Sequence, residues 1–108
     1  MKNAAAIPEL NDAFRKTFSG GKVVMTASVA ELPDMVRANA LVEVAAFDRF
    51  TPDNDPHGEH DFGSFELCGR RFFFKIDYYD ENMECGSEDP SDPTKTTRVL
   101  TLMLAEDY

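Results

Sequence analysis

The chain has 108 residues, with 20 Asp and Glu against 11 Lys and Arg, and a formal charge of −9. A pI near 4.5 argues against direct binding to nucleic acid or to an anionic membrane, because both need Lys and Arg to displace counterions. With 43% apolar and 11% aromatic residues, one globular domain of this length can bury roughly 65% of the surface its unfolded chain exposes.

From Pro8 to Phe18 the apolar residues Leu10, Phe14 and Phe18 recur every four positions, which predicts a helix with Pro8 in its first turn and Gly20-Gly21 as its stop. Lys22 to Thr26, built around Val23, Val24 and Met25, reads as a short buried strand. A second helix is expected from Pro33 or Asp34. Its face carries Val36, Ala40, Val44 and Phe47 with Leu41 adjoining, and it must end before Pro52.

Phe62 to Asp80 holds two alternating runs joined at Cys68-Gly69, the pattern of a hairpin with a two-residue turn. Such a turn sets Leu67 opposite Arg70, Glu66 opposite Arg71 and Phe65 opposite Phe72. Phe72, Phe74, Ile76 and Tyr78 then face the core. Phe73, Lys75, Asp77 and Tyr79 line the other side, a mixed face suited to partial cover by a loop or a partner. Val99 to Leu104 alternates again and reads as a closing strand. Together the elements predict a single α+β domain in the order α-β-α-β-β-β, with two helices on one face of a mostly antiparallel four-stranded sheet.

No run approaches the ~18 apolar residues of a membrane span, and Ala4-Ala5-Ala6 is too short for a signal-peptide core, so a cytoplasmic protein is expected. Cys68 and Cys85 are then expected as free thiols.

Charge is unevenly spread. Asp48 to Asp92 contains thirteen acids against four basic residues, a balance equal to that of the whole protein. Its first part, Thr51-Pro52-Asp53-Asn54-Asp55-Pro56-His57-Gly58-Glu59-His60-Asp61-Phe62-Gly63, holds both histidines. Asp55, His57, Glu59, His60 and Asp61 offer imidazole and carboxylate donors that could coordinate a divalent metal such as zinc, manganese or iron. Pro56 and Gly58 deny His57-x-x-His60 a helical context, and Asp and Asn before Pro or Gly also serve as ordinary turn formers. Ser64 and Cys68 lack the setting of an activated nucleophile, and Ser19-Gly20-Gly21-Lys22 is short of a phosphate loop. The aromatic run Phe72-Phe73-Phe74 has too few basic neighbours for a base-stacking platform.

Leu10-Asn11-Asp12-Ala13-Phe14-Arg15, Gly21-Lys22-Val23-Val24-Met25-Thr26, the stretch from Phe47 through Asn54-Asp55-Pro56-His57-Gly58-Glu59-His60-Asp61-Phe62-Gly63, Lys75-Ile76-Asp77-Tyr78-Tyr79 and Thr97-Arg98-Val99-Leu100-Thr101 together resemble a family of small acidic bacterial proteins of unknown function. Members are frequent on plasmids and other mobile elements, and the resemblance covers nearly the whole chain. It brings no catalytic residues. It implies a setting in which mobile genes meet restriction and CRISPR defences.

Two readings follow. In the first, a non-enzymatic module without cofactor presents Asp77, Asp80, Glu81, Glu84, Glu88, Asp89 and Asp92 to a basic protein surface, in the manner of a nucleic-acid mimic acting as an anti-CRISPR or anti-restriction inhibitor of a nucleic-acid-binding defence protein. In the second, the Asp55 to Asp61 loop makes a divalent-metal module or metal-dependent enzyme.

Overall fold

A computed structural model describes residues 6–108; the Ala4-Ala5 part of the alanine run lies outside the described residues. Helix α1 (Ala6–Thr17) turns Phe14 inward. It stops where Phe18 and Gly20 both adopt left-handed backbone, at φ 57° and 92°, and the chain reverses into strand β1 (Gly21–Met25). Glycine suits that reversal because it has no Cβ to clash. One further turn, α2 (Ala27–Ala30), drops Val29 into the core. Four residues carry no helical period, so the sequence does not announce it.

Helix α3 (Asp34–Ala46) begins directly after Pro33 and buries Ala40 and Val44. Val36 and Leu41 pack at the rim of the core, and Phe47 turns inward just beyond the last turn, as its spacing predicts. Strands β2 (Phe62–Leu67) and β3 (Arg70–Tyr79) form the expected hairpin in the expected register, with Phe65 against Phe72, Glu66 against Arg71 and Leu67 against Arg70. Cys68 and Gly69 both have positive φ, 53° and 74°, which matches the twist of a two-residue turn. Strand β4 (Thr97–Leu104) leads into a short 3-10 turn, Ala105–Asp107.

The sheet order is β1-β4-β3-β2. β2 and β4 flank β3 in antiparallel fashion, but β1 runs parallel to β4, pairing Gly21 with Arg98 through Met25 with Leu102. The sheet is therefore mixed, which corrects the expectation of a mostly antiparallel one, and α2 adds a third helix to the predicted order. Parallel pairing joins segments distant in sequence with no tight turn between them, so it leaves no local mark.

All three helices bury against one sheet face, where Phe65, Phe72, Phe74, Ile76, Leu100, Leu102 and Leu104 form the floor. The opposite face is partly covered by Tyr108. Tyr108 packs edge-on to Phe62 and Phe73 at centroid distances of 6.1 and 5.7 Å. Asp107 holds that end in place, its Oδ2 accepting from Thr26 Oγ1 at 2.7 Å and from the Leu104 amide at 2.9 Å.

Candidate functional site

Residues 47–61 carry the chain from α3 to β2 with no regular structure, and their side chains build the turns themselves. Asn54 accepts from the Thr51 amide at 2.9 Å and donates to the Arg49 carbonyl at 2.9 Å. Asp55 is buried, with Oδ1 accepting the Glu59 amide at 3.0 Å and Oδ2 the His60 amide at 3.1 Å. A carboxylate that satisfies two backbone donors fixes a loop that would otherwise have to hydrate them.

His60 sits at the end of that loop with left-handed backbone (φ 58°), a strained conformation for a residue with a side chain. Its ring stacks on Phe50 with centroids 4.1 Å apart and planes 3° from parallel. Nδ1 meets both carboxylate oxygens of Asp12, brought in by α1, at 3.0 Å. His60 and Phe50 border an open groove of about 460 Å³ whose wall includes His57 and Thr51. Thr51 Oγ1, the only hydroxyl in that wall, accepts from the Asn54 amide at 3.3 Å. The arrangement ties the loop to α1 and offers no activated nucleophile.

Of the five candidate metal donors, the structure brings Asp55 and His60 together, with His60 Nε2 3.8 Å from Asp55 Oδ2, and four have identifiable tasks or exposure. Asp55 serves backbone amides, Glu59 accepts the Tyr78 hydroxyl at 2.7 Å, His60 binds Asp12, and His57 is exposed. Among the described residues no group of three or more His, Cys, Asp and Glu is placed to hold a metal ion.

Burial pushes the Asp61 carboxyl above its ordinary range, and the nearby charges of Glu59 and Asp55 push the same way. A carboxyl raised in the folded state holds its proton more tightly there, so its contribution is fully present below the unfolded pKa and is lost as pH rises through the folded one. Ionised Asp61 is thus a cost at neutral pH. Asp61→Asn is expected to raise the melting temperature at pH 7, with the gain vanishing near pH 3, where wild-type Asp61 is itself neutral. An equal difference at both pH values would contradict this.

Beneath the loop lies a layer of buried polar residues that the sequence reading did not single out. Asn11 donates from Nδ2 to the Glu59 carbonyl at 2.9 Å and to Tyr78 Oη at 2.8 Å, and its Oδ1 accepts from Arg98 Nε at 2.7 Å. Burial pushes the Tyr78 hydroxyl well up, and the Glu59 hydrogen bond adds to this, so Tyr78 acts as a donor. Arg15 is 1% exposed and joins α1 to the end of α3. Its Nη1 donates to the carbonyls of Val44 at 2.9 Å and Phe47 at 2.7 Å, and Nη2 to Asp12 at 2.6 Å. One signal was available. Asn11 and Arg15 stand one helical turn apart beside Phe14, polar residues on an inward stripe.

The acid-rich connection between β3 and β4 is also self-structured. Tyr79 bridges to Gly86, the Asp80 amide donates to the Cys85 carbonyl at 2.8 Å, and the Ser87 amide to the Tyr78 carbonyl at 3.0 Å. Three of the seven candidate acids hold turns. Asp80 accepts the Glu84 amide at 3.0 Å, Asp89 the amide and hydroxyl of Ser91 at 3.2 and 2.5 Å, and Asp92 those of Thr94 at 2.9 and 2.7 Å. The Thr94 bonds pull the Asp92 carboxyl below its ordinary range. Asp77 pairs with Lys75 at 3.0 Å, and Glu88 lies 3.6 Å from Lys95. Glu81 and Glu84 are exposed. Asp80, Glu81 and Glu88 line one concavity of about 330 Å³ with Lys95 at its edge. Cys68 and Cys85 are free, exposed thiols, and no helix among the described residues is long and apolar enough to cross a membrane.

The fold and its polar groups define a small α+β domain whose loops are held rigid by their own side chains and whose surface is acidic on one connection. The family model for a protein of unknown function (DUF3768) matches residues 25–107, and the chain belongs to that family. No curated protein and no solved structure matches it. The match takes in both self-structured connections, while α1, with Asn11, Asp12 and Arg15, precedes it.

Proposed function

We propose that this protein is a non-enzymatic binding module that presents the connection between β3 and β4 to a basic, nucleic-acid-binding surface of another protein. The supporting observation is preorganisation. Asp80, Asp89 and Asp92 spend their carboxylates on local turns, so the exposed Glu81, Glu84 and Glu88 project from a loop that is already folded. A rigid acidic array loses little entropy on docking, and its complementarity to Lys and Arg accelerates encounter. The groove of a restriction or CRISPR effector has this chemistry, and the protein would occupy it in place of nucleic acid. Of the seven acids in the stretch, the three glutamates are the contact residues and Asp80, Asp89 and Asp92 the scaffold, while Asp77 pairs with Lys75 on β3.

The test is capture from host lysate by wild type and by a triple variant, Glu81→Lys, Glu84→Lys and Glu88→Lys, with bound proteins identified and eluted against salt. Wild type is expected to retain a basic nucleic-acid-binding protein at roughly 0.05 M salt and to release it well before about 1 M, where the screening length is only ~3 Å. Added duplex DNA is expected to compete, and the variant to bind at least about tenfold more weakly. Equal retention by the folded variant would overturn the proposal.

A further inference from the structure

Arg98 stands on the core face of β4, paired across the sheet with Gly21 and Tyr78 and only 4% exposed. In a chain of net charge −9 a buried guanidinium is expected to have a carboxylate in contact, yet none of the ion pairs among the described residues includes Arg98. Its partners are neutral. Nε donates to Asn11 Oδ1 at 2.7 Å, Nη2 to the Pro90 carbonyl at 2.5 Å, and the guanidinium carbon lies 5.3 Å from the centroid of the Tyr78 ring. The acid that balances it, Glu59, is reached only through the Tyr78 hydroxyl and the Asn11 amide. Nη1 has no hydrogen-bond partner among the described residues.

This guanidinium lines a groove of about 300 Å³. Leu10, Ala13, Phe14 and Thr17 of α1 form one wall, and Thr96 closes the other side. Thr17 Oγ1 and Thr96 Oγ1 both donate to backbone carbonyls, at 2.9 Å each, so Arg98 is the only charged group in the lining. A cavity of this size lies at the small end of those that hold organic ligands. An apolar wall with one under-paired cation at one end is complementary to a short aliphatic or aromatic body bearing one anionic group. Guanidinium favours carboxylate for that group because its planar donors match two oxygens at once.

We infer that the groove between α1 and the start of β4 is a binding site for a small apolar monocarboxylate, with Arg98 receiving the carboxylate and Leu10, Ala13 and Phe14 the carbon chain. The occupant is a small molecule rather than a peptide terminus because the groove volume accommodates only a handful of carbon atoms beside the carboxylate. This site is independent of the glutamates of the proposed docking loop.

Hexanoate and hexanamide, equal in length and differing in charge, are titrated into the labelled full chain while backbone amide shifts are followed. Hexanoate is expected to shift the amides of Ala13, Thr17, Ser19 and Thr96 in a saturable way, with hexanamide at least about tenfold weaker because it lacks the charge-assisted pair. Ala13→Trp places a large side chain at an exposed helix position in the groove wall. It should cut hexanoate affinity about tenfold while leaving distant shifts unchanged. Arg98→Gln serves as a second probe where it folds, and it should erase the preference for the carboxylate. Equal binding of the two ligands, no saturable shift in the folded wild type, or unchanged affinity in Ala13→Trp would each overturn the inference.

Discussion

Arg15→Ala is expected to destabilise the protein by about 4 kcal/mol, enough to remove a large share of the stability of a domain this size. The side chain is the joint between α1 and α3. Its Nη1 donates to the Val44 and Phe47 carbonyls at 2.9 and 2.7 Å; the Val44 carbonyl also takes the Phe47 amide at 3.3 Å, but the Phe47 carbonyl, just past the end of α3, depends on Arg15. Truncation leaves the Phe47 carbonyl empty, at about 1–3 kcal/mol, strips the Val44 carbonyl of its shorter bond, and removes a cation 5.2 Å from the Phe50 ring centroid and 5.8 Å from that of Phe74. It also releases Asp12, which then faces His60 alone. Lysine is a poor substitute because one ammonium cannot span both carbonyls and the carboxylate in the same plane, so Arg15→Lys should cost about half as much. Urea denaturation of the three proteins measures this, and an Arg15→Ala midpoint close to that of wild type would show that the joint is dispensable.

Gly63→Ala is the second large effect, expected at about 3 kcal/mol from the addition of one carbon atom. A Cβ at residue 63 would overlap the edge of the Phe74 ring, 2.6 Å from Cζ and against Cε2, and lie 3.0 Å from Phe47 Cε2. Neither ring is free to retreat, since Phe74 is fully buried and packs edge-on to Phe47 at 5.3 Å. The overlap predicts its own remedy. Phe74→Leu alone should destabilise by leaving space, but combined with Gly63→Ala the two costs should fall short of additivity by at least about 1 kcal/mol. A double-mutant cycle with strictly additive costs would mean that the β2–β3 contact is looser than its distances indicate.

The hairpin was legible because its information is local. Alternation in Phe62 to Asp80 and the Cys68-Gly69 turn fix register by counting, and the Phe65–Phe72 and Glu66–Arg71 pairs follow. The place of β1 was not legible, since its partner lies more than seventy residues away and a parallel pair has no turn to reveal it. Distance hid the buried polar layer as well. Asn11 meets Arg98 across 87 residues, and only the closed fold gives either of them a role. The acidic connection is a mixed case. Charge density alone treats its seven acids alike, but Asp89-Pro90-Ser91 and Asp92-Pro93-Thr94 repeat one pattern, an Asp whose oxygen takes the amide and hydroxyl two residues on. Read by pattern rather than by charge, those two aspartates belong to the scaffold.

One of the two inner strands of the sheet, β4, comes after the other three in sequence. A nascent chain can close the β2–β3 hairpin as it emerges, because those strands meet across two residues. Strand β1 has no neighbour, and the inward sides of the helices lack much of their floor, until about residue 104 clears the exit tunnel. A chain broken off before Thr97 would expose Phe14, Phe72 and Phe74 together, and the cell would meet it as a target for chaperones and proteases rather than as a shortened form of the protein.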